Sequence, residues 1–262
     1  MNLKRFFSPT GEQPAVLSVG LAIFLLLLFG INQMYPINQK LSMQPESLFT
    51  FDIGRLSSYP LGHMSITHII FNILALIPLL NIFETTHGTL YTGVLLNISA
   101  VVCGVMYCVA GRFLYPEVSV LGASGWGFTF FAYFAVKEAS VRPRQRLFGT
   151  QYSFPTLIGP IVTLALIAIF VPGSSFWGHL FGMIFGYFMG WKENWVSKIA
   201  PPSWILIKIE GWLSKPIDLI PSFVTYHKEE SMNRDSDYIS FVDDSENGLP
   251  LHNTEGTVLG TA

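Results

Sequence analysis

The chain of 262 residues is poor in charge. Only 12% of its residues are Asp, Glu, Lys or Arg, against about a quarter in an ordinary soluble domain. Half of it is apolar, and 22 residues are Phe, so lipid is the solvent this composition suits. Its two cysteines, Cys103 and Cys108, both lie inside one apolar stretch, which excludes a disulfide framework and leaves two small buried hydrophobes. No basic patch with interleaved aromatics is present, which argues against nucleic acid as a partner. No internal repeat is visible. The first apolar run is too long for a signal-peptide core and no small-residue cleavage site follows it, so it reads as an uncleaved anchor.

A net charge of −2 conceals an asymmetry. Residues 1–222 carry 13 Lys+Arg against 9 Asp+Glu, a balance of +4. Residues 223–262 carry Lys228 and Arg234 against eight acids, a balance of −6. Six stretches approach the roughly 17–25 residues that cross a bilayer as helix: 15–31, 61–82, 90–110, 120–136, 154–171 and 175–191. Positive charges in the short connections split eight to three. Lys4, Arg5, Lys137, Arg142, Arg144, Arg146, Lys192 and Lys198 fall on one side; Lys40, Arg55 and Arg112 fall on the other. Positive charge marks the cytosolic side, so both termini are expected there.

The expected organisation is a cytosolic N-terminus over 1–14, a six-helix core over 15–192, a juxtamembrane segment over 193–221 and a tail over 222–262. In the third segment Lys208, Gly211 and Lys215 share one helical face while Ile205, Ile209 and Trp212 share another, the pattern of an interfacial amphipathic helix. The tail is acidic and Ser-rich, cannot bury a core, and reads as disordered cytosolic chain open to a partner. The fold class expected is an all-α membrane protein.

Polar residues inside spans are expensive, and here they are concentrated in the second, fourth and sixth stretches. These three begin on the same, non-cytosolic side. Ser124 and His179 each lie four residues after the start of a stretch, and at about 1.5 Å per residue they share one depth, with His68 and Asn72 just deeper. Gly122, Ala123 and Gly125 leave the Ser124 hydroxyl and the nearby N–H groups open to approach. Alone, this tetrapeptide is equally a small-residue packing patch. At 100° per residue, Gly182, Gly186 and Gly190 line a stripe beneath His179, along which a neighbouring helix can come close. His68 and Asn72, spaced i, i+4, share a face and can both donate hydrogen bonds; a mutually satisfied buried pair is the competing reading. On a helix through 61–82, His63 points about 140° away from His68, which favours a structural role. Glu84 is expected to cap or bridge the adjacent loop, and Asn97 to make an inter-helix hydrogen bond.

Taken together, His68-x-x-x-Asn72, Gly122-x-Ser124-Gly125 and His179-x-x-Gly182-x-x-x-Gly186 resemble the rhomboid family of intramembrane serine proteases, across residues 15–192. The short form with an acidic tail is similar to fungal Golgi-type rhomboids. The resemblance implies a Ser124–His179 dyad, an oxyanion site made by His68, Asn72 and the Ser124 amide, and cleavage of single-pass transmembrane substrates near the luminal face. It implies no metal and no cofactor, and a secretory membrane, the Golgi before the endoplasmic reticulum. Two departures stand out. Phe128 occupies a position where the family often carries a tyrosine that stacks on the base, and the Trp-Arg pair common in the family's first loop is missing between Gln33 and Pro60. A silent rhomboid-like adaptor that sorts membrane clients is the rival; retention of both Ser124 and His179 argues against it. A transporter is disfavoured because the polar groups occupy one leaflet only.

Overall fold

A computed structural model describes residues 13–146 and 150–232. The expected N-terminal segment up to residue 12 and the tail from 233 lie outside the described residues. Among those described, each of the six apolar stretches carries a helix: α1 (Val16–Asn32), α4 (Ile66–His87), α5 (Thr89–Leu114), α6 (Ser124–Val141), α7 (Gly159–Phe170) and α8 (Phe176–Trp191). Short helices α2 (Ile37–Leu41) and α3 (Gly54–Ser58) fill the first long connection, and α9 (Glu193–Ile199), α10 (Ser203–Trp212) and α11 (Ser214–Asp218) follow α8. By length and apolarity, α4 and α5 are candidate membrane spans, while α1 and residues 156–170 form shorter apolar helices. A two-stranded antiparallel ribbon, β1 (Arg144–Arg146) with β2 (Ser153–Pro155), links α6 to α7.

Helix starts are decided by capping, and this moves several expected boundaries. The second stretch becomes helical at Ile66, because Ser65 is its N-cap and accepts the His68 N–H at 3.1 Å. Likewise Ser175 caps α8 by accepting the Gly178 N–H at 3.2 Å. The fourth stretch does not begin its helix at Val120. Val120 pairs with Met43 through both backbone groups (2.8 and 3.1 Å), Gly122 takes φ +124°, and α6 starts only at Ser124. Gly88, at φ +94°, both ends α4 and precedes α5, which makes those helices a one-residue hairpin. The fifth stretch spends its start on β2 and a 3-10 turn, which leaves α7 with 12 residues.

The closest helix pair is α6 with α8, because glycine removes the side chains between them. A Cβ at Gly182 would overlap the Gly125 carbonyl oxygen, and one at Gly186 the Thr129 carbonyl oxygen. At Gly190 a Cβ would lie 2.6 Å from the Val136 Cβ. Thr129 ties the seam, its Oγ1 donating to Gly125 O at 3.0 Å and Gly182 O at 3.1 Å.

Far from this seam's first turn, a polar junction joins α1, the α4–α5 hairpin and the chain beyond α11. Glu84, wholly buried, accepts from Leu17 N (2.9 Å), Ser18 N (2.8 Å), Ser18 Oγ (2.8 Å) and Thr89 Oγ1 (2.8 Å). It therefore caps the start of α1, where backbone donors have no partner within the helix. Residues 222–232, expected as the beginning of a disordered tail, take part in the same junction. Val16 N donates to Thr225 O, Thr225 N to Pro14 O, and Thr89 N to His227 O, each at 2.9 Å. Helix starts need acceptors, and this segment's carbonyls supply them; the composition could not reveal that. The buried carboxylate of Glu210 on α10 receives Tyr226 Oη at 3.0 Å and Glu229 N at 3.1 Å. The side of α10 packed on the protein carries Leu206 and Glu210, while Trp212 is exposed. Asn97 is exposed and makes no hydrogen bond among the described residues, so the expected inter-helix bond is absent.

Candidate active site

Ser124 is the first residue of α6, His68 the third of α4 and His179 the fourth of α8. Three helix N-termini therefore meet where the polar residues meet. Each carries unsatisfied N–H groups and a partial positive charge, an environment suited to a developing oxyanion. Starting the helix at Ser124, and not four residues earlier, leaves the Ser124 N–H with no acceptor among the described residues. The glycine before the turn brings the other partners in. A Cβ on Gly122 would sit 2.7 and 2.8 Å from Cε1 and Nε2 of His68, and 3.4 Å from Nδ2 of Asn72. Positive φ and the close imidazole both demand glycine there.

On the other side of Ser124, Phe128 lies one turn along α6 and stacks on the His179 ring, centroids 4.8 Å apart and planes 26° from parallel. His179 and Asn72 are buried, and His179 Nδ1 and Asn72 Nδ2 have no hydrogen-bond partner among the described residues. Buried polar atoms are nearly always paired, so two such atoms on residues beside Ser124 fit groups kept open for a substrate. Ser124 and His179 make no hydrogen bond with each other in this structure. Catalytic contacts are often loose without substrate and tighten in the reacting complex. Gly125 and Gly182 bring the two backbones into contact one turn or less from these side chains.

One residue near the site does not follow the sequence reading. With α4 beginning at Ile66, His63 is not on the helix at all, and the 140° separation from His68 does not apply. Its ring lies 5.1 Å from that of His68, edge to face, and its Nε2 accepts the Ala123 N–H at 3.4 Å. The signal available in the sequence was a third buried-type histidine within five residues of His68.

At the opposite end of α6 and α8, Glu193 accepts from His87 Nε2 and Tyr133 Oη, each at 3.0 Å, and pairs with Lys137. Burial alone would raise this carboxyl, but the hydrogen bonds and charges of His87 and Lys137 outweigh it and hold the group at about 2. The cluster is remote from Ser124 along the chain of contacts and reads as a lock on the α8–α9 corner.

Comparison with known proteins adds a second line. The model of the rhomboid domain matches residues 50–194. Over its whole length the chain is 51% identical to the whole of rhomboid-type serine protease 2 of Saccharomyces cerevisiae. It is 49% identical to the Kluyveromyces lactis protein of the same name, over 97% of this chain and 94% of that one. The Eremothecium gossypii protein is 44% identical over 99% of this chain and 100% of its own.

Proposed function

We propose, from the premise that this chain belongs to the rhomboid family and is a serine protease of that type, that Ser124 and His179 form its catalytic dyad. In this reading neutral His179 takes the Ser124 proton as Oγ attacks the carbonyl carbon of a peptide bond. The Ser124 N–H, His68 and Asn72 hold the resulting oxyanion. His179 then returns its proton to the leaving amine, and water attacks the acyl-enzyme with His179 again as base. Among the described residues no acid pairs with this imidazole; the stacked Phe128 ring orients it instead. The observation that carries the reading is the convergence on one turn, Gly122–Ser124, of the His68 and Asn72 side chains with a histidine stacked one turn below.

The substrates proposed are single-pass transmembrane proteins, cut where their helix unwinds near the luminal face. The proposed setting is six membrane spans with both termini cytosolic, the segment 193–221 at the membrane interface, and a Golgi membrane. A fluorophosphonate should label the wild type, and Ser124→Ala and His179→Ala should each abolish cleavage of a transmembrane substrate at unchanged protein level. Labelling that survives Ser124→Ala would overturn the assignment of the nucleophile. For topology, a glycan acceptor inserted at residues 51–54 should be modified and tags on both termini should stay cytosolic; a luminal C-terminus would overturn it.

A further inference from the structure

We infer that His63 is a positioning residue for this reaction: it holds the turn that presents the Ser124 amide and braces the ring of His68. The inference rests on the reading of Ser124 as nucleophile and of its amide as an oxyanion donor.

The segment before α6 is held by several backbone hydrogen bonds. Val120 is paired on both sides with Met43, and the Gly122 N–H donates to the Tyr59 carbonyl at 2.9 Å. The Ala123 carbonyl accepts from Gly127 N at 3.1 Å, within the first turn of the helix. The Ala123 N–H donates to a side chain, His63 Nε2, at 3.4 Å. The peptide that follows, Ala123–Ser124, carries the free Ser124 N–H. Its plane can turn only if Ala123 turns, and Ala123 is held at its nitrogen by His63 and at its oxygen by Gly127. The direction of the proposed oxyanion donor is therefore held from both sides, by Gly127 on its own peptide plane and by the imidazole of His63 on the peptide before it.

The same ring has a second contact with the machinery. Its edge-to-face approach to His68, at 5.1 Å between centroids, limits how far the His68 imidazole can swing away from Gly122. His63 is itself immobile: it is 1% exposed, and its backbone carbonyl receives Asn38 Nδ2 at 2.8 Å. To accept at Nε2 the ring must be neutral and carry its proton on Nδ1. That Nδ1 is buried.

The test compares His63→Gln, whose side-chain oxygen can accept where Nε2 does, with His63→Leu, which fills similar space and accepts nothing. Both are measured in proteoliposomes for kcat and KM on a transmembrane substrate, for the rate of fluorophosphonate labelling, and for thermal stability. His63→Leu should lower kcat and the labelling rate by roughly tenfold to a hundredfold with KM within about twofold of wild type. His63→Gln should recover most of that loss. If the leucine variant cleaves and labels at the wild-type rate, or if the glutamine variant is no better than leucine at equal thermal stability, the inference is wrong. An unfolded leucine variant leaves the glutamine variant to decide: kcat within about threefold of wild type supports the inference, and a loss beyond tenfold in a folded glutamine variant overturns it. Failure of Ser124→Ala to abolish labelling would be a separate result, against the nucleophile and not against His63.

Discussion

Phe128 and His179 lie in a stacked pair across the α6–α8 seam, with ring centroids 4.8 Å apart. The imidazole has no hydrogen bond at Nδ1 among the described residues, so this stack and the seam beneath it are what set its angle. Aromatic pairs of this kind contribute about 0.5–1.5 kcal/mol beyond their buried area. Phe128→Ala should therefore cut kcat by roughly tenfold with little change in KM, while Phe128→Tyr, which keeps the ring, should stay within about threefold of wild type. Equal rates for the alanine variant and wild type would show that the ring does not orient the base. Steady-state cleavage of one transmembrane substrate by all three proteins decides it.

The glycine seam makes a graded prediction. At Gly186 the Cβ of an alanine would overlap a backbone carbonyl, which cannot rotate aside. Gly186→Ala and Gly182→Ala should both be severe, losing about 1–3 kcal/mol in stability and on the order of a hundredfold in rate if the helices part by about 1 Å. Gly190→Ala meets only the Val136 side chain and should be milder. A bulky change at Ile184, which is 42% exposed, should be neutral. Thermal melts and cleavage rates of the four variants should fall in that order; a mild Gly186→Ala would mean the helices are not in backbone contact.

Every partner of the Glu84 carboxylate is a donor. Glu84→Gln would turn an NH2 group toward N–H and O–H donors and remove the charge at the start of α1. A loss of roughly 2–3 kcal/mol is expected, with Ser18→Ala costing nearer 1 kcal/mol because backbone donors still reach the carboxylate. A glutamine variant that melts like wild type would show that the junction does not depend on charge.

Two truncations bear on the segment after α11. A chain ended after Met232 keeps the hydrogen bonds of Thr225, Tyr226, His227 and Glu229; one ended after Pro221 strips acceptors from Val16 and Thr89. The shorter chain should melt several degrees below the longer one. Coincident melts would make the docked segment dispensable.

The Glu193 carboxyl, held at about 2 by His87 and Lys137 against the cost of burial, predicts an acid dependence. A carboxyl depressed in the folded state stabilises it fully above the unfolded value near 4.5, and the contribution disappears as pH falls from there toward about 2. Wild type should lose stability over that window more steeply than Glu193→Gln. Parallel pH profiles for the two proteins would remove Glu193 as the cause.

The side chains gathered at the candidate site were legible in the sequence because their signals are local. Polar residues stood out against apolar stretches, and helical periodicity put Gly182, Gly186 and Gly190 under His179 and paired His68 with Asn72. His63 was misread for the same reason. Periodicity assumes a helix is already there, and Ser65 delays it past His63. Residues 222–232 were misread because composition counts apolar burial and not the hydrogen bonds that two helix starts require.

The sequence by itself determined the apolar character of this chain, the stretches that carry its helices and the residue types at the candidate site, since hydrophobic length and spacing need no partner to be read. Only the tertiary structure decided where α6 begins. That choice depends on contacts tens of residues apart: Met43 holds Val120, Tyr59 holds Gly122 and His63 holds Ala123, so that α6 starts at Ser124 and its amide is left free. A backbone N–H must find an acceptor from wherever in the chain one is offered, and which acceptor that is becomes defined only once the helices have packed.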